Sequence, residues 1–131
     1  MNSGIKSPVI LLVEDQAPVR LVITEMLRRH DFRVLTAAAA ADGQALFDKH
    51  HEEISLVVLD MIMPGMSGLD LAASLTRTHP AMKILYISGY VDSIAIQSIS
   101  RRSSEVVLCK PFTEESLVER VRQLVGGQPA S

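Results

Sequence analysis

Short apolar runs punctuate the chain at Val9–Val13, Phe32–Ala37, Ile54–Leu59, Ile84–Ile87 and Val106–Leu108. All but one are apolar almost without a break, Ser55 being the exception, the pattern of strands covered on both faces of a parallel sheet. Phe32–Ala37 is broken by Arg33 and Thr36, which suits an edge strand. Between the runs the apolar spacing becomes helical. Val19, Val22, Ile23, Met26 and Leu27 form one stripe, and Leu117, Val118, Val121, Leu124 and Val125 form another. Pro18 suits a first helical turn, and Thr113 followed by Glu114, Glu115 and Ser116 reads as a capped, acid-rich helix start. Ala41–His51 and Leu69–Thr78 supply two more helices, the second introduced by Pro64, Gly65, Ser67 and Gly68. A weaker candidate spans Asp92–Arg102, where Ile94, Ile96 and Ile99 are diluted by serines of middling helix propensity.

Alternating strands and helices predict an α/β domain of (βα)5 type, with right-handed crossovers and helices on both faces of a parallel sheet. One domain fills residues 8–125, flanked by an N-terminal tail, Met1–Ser7, and a tail or severed linker at Gly126–Ser131.

Composition narrows the function. The 131 residues carry 13 Lys plus Arg against 15 Asp plus Glu, scattered along the chain, for a formal charge of −2. No basic stripe or polybasic segment results, which argues against direct nucleic-acid binding and against an anionic membrane surface. No apolar stretch approaches the roughly 18 residues of a membrane span, and no signal peptide opens the chain, so a cytoplasmic location is expected. The single cysteine, Cys109, permits no intramolecular disulfide and reads as a small apolar residue of the last strand. His30, His50, His51 and His79 all fall near predicted helix ends and read as partners of the helix dipole.

Ligands of an open parallel sheet bind at the carboxyl ends of its strands. After the first strand come Glu14 and Asp15. The third ends in Asp60, the fourth leads into Ser88 and Gly89, and the fifth into Cys109, Lys110 and Pro111. Taken alone, Asp15 also reads as a cap for the helix beginning near Pro18. Together, three acids, a hydroxyl and an ammonium converge on one edge. Three gathered carboxylates repel each other, and Mg2+, a hard cation that takes one or two carboxylates together with a phosphate, is the natural neutraliser. Asp60 then keeps an oxygen able to attack phosphorus and form an aspartyl phosphate. Lys110 and the Ser88 hydroxyl are placed to meet the phosphoryl oxygens.

The stretches ILLVEDQAPVR, VVLDMIMPGMSGLDL, ILYISGY and LCKPF, in that order, resemble the receiver domain of two-component response regulators. The resemblance runs from residue 9 to residue 125. It implies a flavodoxin-like three-layer fold with strand order 2-1-3-4-5, Asp60 as phosphoacceptor, and Glu14 with Asp15 as the acidic pair for magnesium. The backbone carbonyl of Ile62 completes the implied metal ligands, and Ser88 and Lys110 are the groups that respond to phosphate. The implied function is a phosphorylation switch and not a dedicated enzyme, charged by a sensor histidine kinase or a histidine phosphotransfer protein. Its output is expected through protein contact or self-association, on a face formed by the Asp92–Arg102 helix, the fifth strand and the last helix.

Two departures stand out. Val107 occupies the position where the family commonly carries Tyr or Phe, with Tyr90 as an available aromatic. Ile62 and Tyr90 occupy the variable positions that flank the line of attack on the phosphate, and their bulk points to a long-lived phosphoryl group. Other classes fit less well. A haloacid-dehalogenase-like phosphatase needs an acid where Ile62 stands. A flavin or nucleotide binder needs a glycine-rich loop after the first strand, where acids stand instead. A pseudo-receiver is opposed by the intact set Glu14, Asp15, Asp60, Ser88 and Lys110. The ISGY stretch is similar to receivers attached to kinases, so both a stand-alone receiver and a piece of a hybrid kinase fit.

Overall fold

A computed structural model of the chain describes residues 7–61, 67–88, 105–109 and 111–126. Its strands are β1 (Val9–Val13), β2 (Arg33–Ala37), β3 (Ile54–Asp60), β4 (Ile84–Ser88) and β5 (Glu105–Cys109). The helices among the described residues are α1 (Ala17–Arg28), α2 (Ala40–His50), α3 (Gly68–Thr78) and α4 (Glu114–Gly126). The expected helix at Asp92–Arg102 lies outside the described residues, as do Ile62, Gly89, Tyr90 and Lys110. All strand pairs are parallel, in the order β2-β1-β3-β4-β5. This is the three-layer flavodoxin-like arrangement expected from the sequence.

The two-residue period of a strand sorts side chains to opposite faces. Val9, Leu11 and Val13 of β1 pack with Leu59, Tyr86, Phe47, Leu71 and Leu75 beneath α2 and α3. Ile10 and Leu12 pack on the other face with Ile23 and Leu27 of α1 and Leu117, Val118 and Val121 of α4. β1 is therefore buried along its whole length, which explains its unbroken apolar run. β2 lies at the edge of the sheet and exposes Arg33 and Thr36, as its interrupted pattern predicts. β3 and β4 run one residue beyond the apolar runs, because backbone pairing continues through Asp60 opposite Ile87 and Ser88 opposite Cys109. The polar residues that matter most thus sit at the last rung of the ladder. Among the described residues no helix is long and apolar enough to cross a membrane.

Two local devices fix the helices on the sheet. α2 lies close over β1 because Gly43 has no side chain: a Cβ there would stand 2.8 Å from Val13 Cγ2 and 3.4 Å from Leu71 Cδ2. At the end of α1, Asp31 adopts a left-handed conformation with φ of 70°. Its N–H and that of Phe32 donate to the carbonyls of Arg28 and Leu27, each at 3.2 Å, closing the helix with a Schellman-type turn. This turn brings Arg29 and His30 to Glu114 at the start of α4. Arg29 Nη2 and Nε meet the carboxylate at 2.6 and 3.3 Å, and His30 Nε2 meets it at 2.9 Å. The guanidinium of Arg29 and then the His30 ring hold the Glu114 carboxyl down to about 2. Thr113 and Ser116 close the same helix start, each side chain accepting the other's backbone N–H at 3.0 Å.

Two expectations follow from these contacts. Gly43→Ala overpacks the α2–β1 contact and should lower unfolding stability by about 1–3 kcal/mol in urea denaturation, with the m-value unchanged. Because the Glu114 carboxyl is depressed in the folded state, the stability it confers is present above its ordinary value of 4.5 and lost as pH falls toward about 2. The Tm advantage of the wild type over Glu114→Gln, measured in a pH series, should therefore shrink across that window.

Candidate functional site

β1 and β3 are neighbours, with Val13 in register with Leu59. The next residue of each strand is an acid, Glu14 and Asp60, and Asp15 follows directly. One carboxylate oxygen from each of Glu14, Asp15 and Asp60 lies within 4.8 Å of the others. Glu14 is buried, while Asp15 and Asp60 are partly exposed to solvent at the strand ends. Ser88, also buried, ends β4 one residue beyond the rung that Ile87 shares with Asp60. β5 ends beside it, with Cys109 in register with Ser88. The structure thus brings together Glu14, Asp15 and Asp60 and sets Ser88 on their edge of the sheet. Lys110 and Ile62 lie outside the described residues.

The loop after β1 is tied down at the backbone. Glu14 N–H donates to the Ala37 carbonyl at 3.0 Å. The Glu14 Oε2 accepts the Gln16 N–H at 3.1 Å, and Arg20 Nη1 donates to the Glu14 carbonyl at 2.8 Å. The N-cap of α1 is Gln16, which makes no side-chain cap, and Pro18 fills the first turn, where a missing N–H costs nothing. Asp15 is therefore not spent on capping and stays with the acid cluster.

A second closure follows Asp60. Met61 N–H donates to the Ile87 carbonyl and Gly68 N–H to the Met61 carbonyl, both at 3.0 Å. A Cβ on Gly68 would stand 2.1 Å from the Asp60 carbonyl oxygen, so only glycine lets α3 begin directly against the strand end. Ser67 caps that helix by accepting the Asp70 N–H at 3.1 Å.

The sequence alone does not single out three residues at this edge. Arg20 is one basic residue among many; its spacing of one helical turn after Gln16 is the signal that it can reach back to the loop. Gly68 reads as a turn residue, whereas the structure uses it for close approach. Tyr86 is a third. It is fully buried in register with Val107, so an aromatic ring stands on the strand next to the position where Val107 departs from the pattern.

Chemically, the cluster offers carboxylate oxygens alone, the donor set of a hard divalent cation and a poor match for a thiophilic metal. An anionic substrate approaching Asp60 would be repelled without such an ion, and it would meet the carboxyl ends of β1, β3, β4 and β5 in a row.

A family model described as the response regulator receiver domain matches residues 10–122. The chain is 30% identical over 122 residues to the sensor kinase CckA of Brucella abortus strain 2308, covering 93% of this chain and 13% of that kinase. It is also 30% identical over 118 residues to the response regulator receiver protein CpdR of the same strain, covering 88% of this chain and 95% of that protein. The crystal structure of a response regulator receiver domain protein from Clostridium thermocellum superposes with a TM-score of 0.86 at 24% identity, over 92% of this chain and 95% of that one, which is a likeness of fold. With the matched span running from β1 into α4, the chain belongs to the receiver domain family of two-component response regulators.

Proposed function

We propose that this receiver is a phosphorylation switch whose acceptor is Asp60. The observation that carries the reading is the gathering of Glu14, Asp15 and Asp60 within 4.8 Å at the carboxyl edge of the sheet. The donor in this reading is a phosphohistidine on a sensor histidine kinase or a histidine phosphotransfer protein in the cytoplasm. An Asp60 carboxylate oxygen forms a bond to phosphorus as the phosphorus–nitrogen bond breaks, and the departing imidazole takes the bonding pair and a proton. Glu14, Asp15 and Asp60, with the Ile62 carbonyl, would hold Mg2+, which when bound supplies the positive charge that offsets the acids and the incoming phosphoryl oxygens.

The remaining roles belong to the chain's own groups. The Ser88 hydroxyl donates to a phosphoryl oxygen, and the Lys110 ammonium pairs with the new dianion. Drawing these two groups inward moves the ends of β4 and β5, and with them the surface that β5 and α4 are expected to share with the 92–102 segment. A local charge event thereby biases a partner-binding or self-association surface. The side chain two residues after Asp60 is Ile62, which cannot act as a general acid, so the reading is an acceptor that assists its own phosphotransfer and not a dedicated phosphatase. Similarity both to a sensor kinase and to a receiver of nearly this length supports a role in either setting.

Incubation with acetyl phosphate and Mg2+, followed by intact-mass measurement, should show a gain of one phosphoryl group that Asp60→Ala abolishes and hydroxylamine removes. No gain with any small-molecule donor would leave a binding module without the switch. Ile62→Asn should shorten the lifetime of the phosphoryl group, read as the decay of the phosphorylated mass; an unchanged decay would remove Ile62 from the account. In chelator, Asp15→Asn relieves repulsion in the acid cluster and should raise unfolding stability by about 1 kcal/mol. Adding Mg2+ should stabilise the wild type more than this variant and so shrink or reverse the difference in Tm.

A further inference from the structure

Two histidines that the sequence places only at helix ends meet in space. His51 is the C-cap of α2 and His79 the C-cap of α3. Their ring centroids are 4.5 Å apart with the planes inclined at 50°. The Phe47 ring stands edge-on to His79 at 5.0 Å and lies 6.0 Å from His51, so a buried aromatic backs both imidazoles.

Each ring meets a hydrogen-bonding partner at Nδ1. His51 Nδ1 lies 3.3 Å from the Asp48 carbonyl, which can only accept, so Nδ1 is the protonated nitrogen. His79 Nδ1 lies 2.9 Å from Thr78 Oγ1, a hydroxyl that can accept an Nδ1–H or donate to a bare Nδ1. With Nδ1 so engaged, Nε2 of each ring is the nitrogen available to a metal ion. An Nδ1–H held by a carbonyl or hydroxyl is the outer-shell arrangement that orients metal-binding histidines.

The spacing and the field suit a cation as well. Two imidazoles on one ion, each through one nitrogen at about 2.0–2.1 Å, have ring centres roughly 4.5 Å apart at a right angle and about 5.2 Å apart at the tetrahedral angle, so a small opening of the pair would seat a tetrahedral ion. The rings stand where the carbonyl ends of two helices converge, and the partial negative charge of those ends favours a positive ion. Both rings are partly exposed, so an ion has access and water can complete its coordination.

We propose that His51 and His79 form a binding site for a divalent transition-metal ion of the zinc class, at the end of the sheet opposite the acid cluster. His51 precedes the first residue of β3 and His79 that of β4, whereas Glu14, Asp15 and Asp60 follow strand ends. Imidazole donors select zinc, nickel or copper over magnesium, so the two sites would sort their ions by ligand type. A bound ion would cross-link α2 to α3, the helix that begins against Asp60.

The test is Zn2+ titrated as its chloride into the full chain in excess Mg2+, followed by calorimetry and by nitrogen NMR of the histidine rings. One Zn2+ should bind per chain in the micromolar range, with the Nε2 signals of His51 and His79 shifting and those of His30 unmoved. His51→Gln and His79→Gln should each weaken binding at least about tenfold, and Asp15→Asn and His30→Gln should not. The ring spectra of the wild type need no variant to fold. Absence of binding at millimolar Zn2+, or binding that leaves both Nε2 signals unmoved, would overturn the site.

Discussion

Burial of the central strands on both faces is the constraint from which the rest of the molecule follows. β1 is covered at every position, and, Ser55 near the start of β3 aside, β3 and β4 are apolar until their last residues. A charged group inside such a strand would lose its hydration without compensation, so polar chemistry is pushed to the strand ends. Because all the strands run the same way, those ends share one edge. Glu14, Asp60 and Ser88 meet there through register alone, one rung beyond the apolar ladder. Sheet order adds the rest: β1 and β3 are adjacent, so the two acids that end them are adjacent too.

The same arrangement builds in a conflict. Three carboxylates within 4.8 Å repel, and backbone contacts help to hold the strand ends that carry them. Gln16 N–H meets the Glu14 carboxylate, Arg20 grips the Glu14 carbonyl, and Gly68 lets α3 press against the Asp60 carbonyl. Each contact fixes backbone and leaves the carboxylate cluster intact. At the start of α4 a fourth acid, Glu114, is paired to Arg29 and His30.

The strands and their order of burial were legible in the sequence because a doubly covered strand leaves an unbroken apolar run and an edge strand does not. Strand ends were less legible: hydrogen-bond pairing carries on through Asp60 and Ser88 after hydrophobicity has stopped. The acids could be placed on one edge from topology alone, since every strand's carboxyl end shares it. Close approach is harder to read. Gly43 and Gly68 differ from ordinary turn or helix glycines only in what lies opposite them, Val13 in one case and the Asp60 carbonyl in the other. The meeting of His51 with His79 depends on how α2 and α3 pack side by side, which helix-end reasoning about each residue separately does not contain.

Asp60 as the phosphoacceptor is the claim on which the functional account rests, and phosphorus NMR addresses it directly. A sample treated with a phosphodonor and Mg2+ should show one protein-bound acyl phosphate signal, absent from Asp60→Asn. A phosphoramidate signal from a histidine, or an acyl phosphate that persists in Asp60→Asn, would contradict the account.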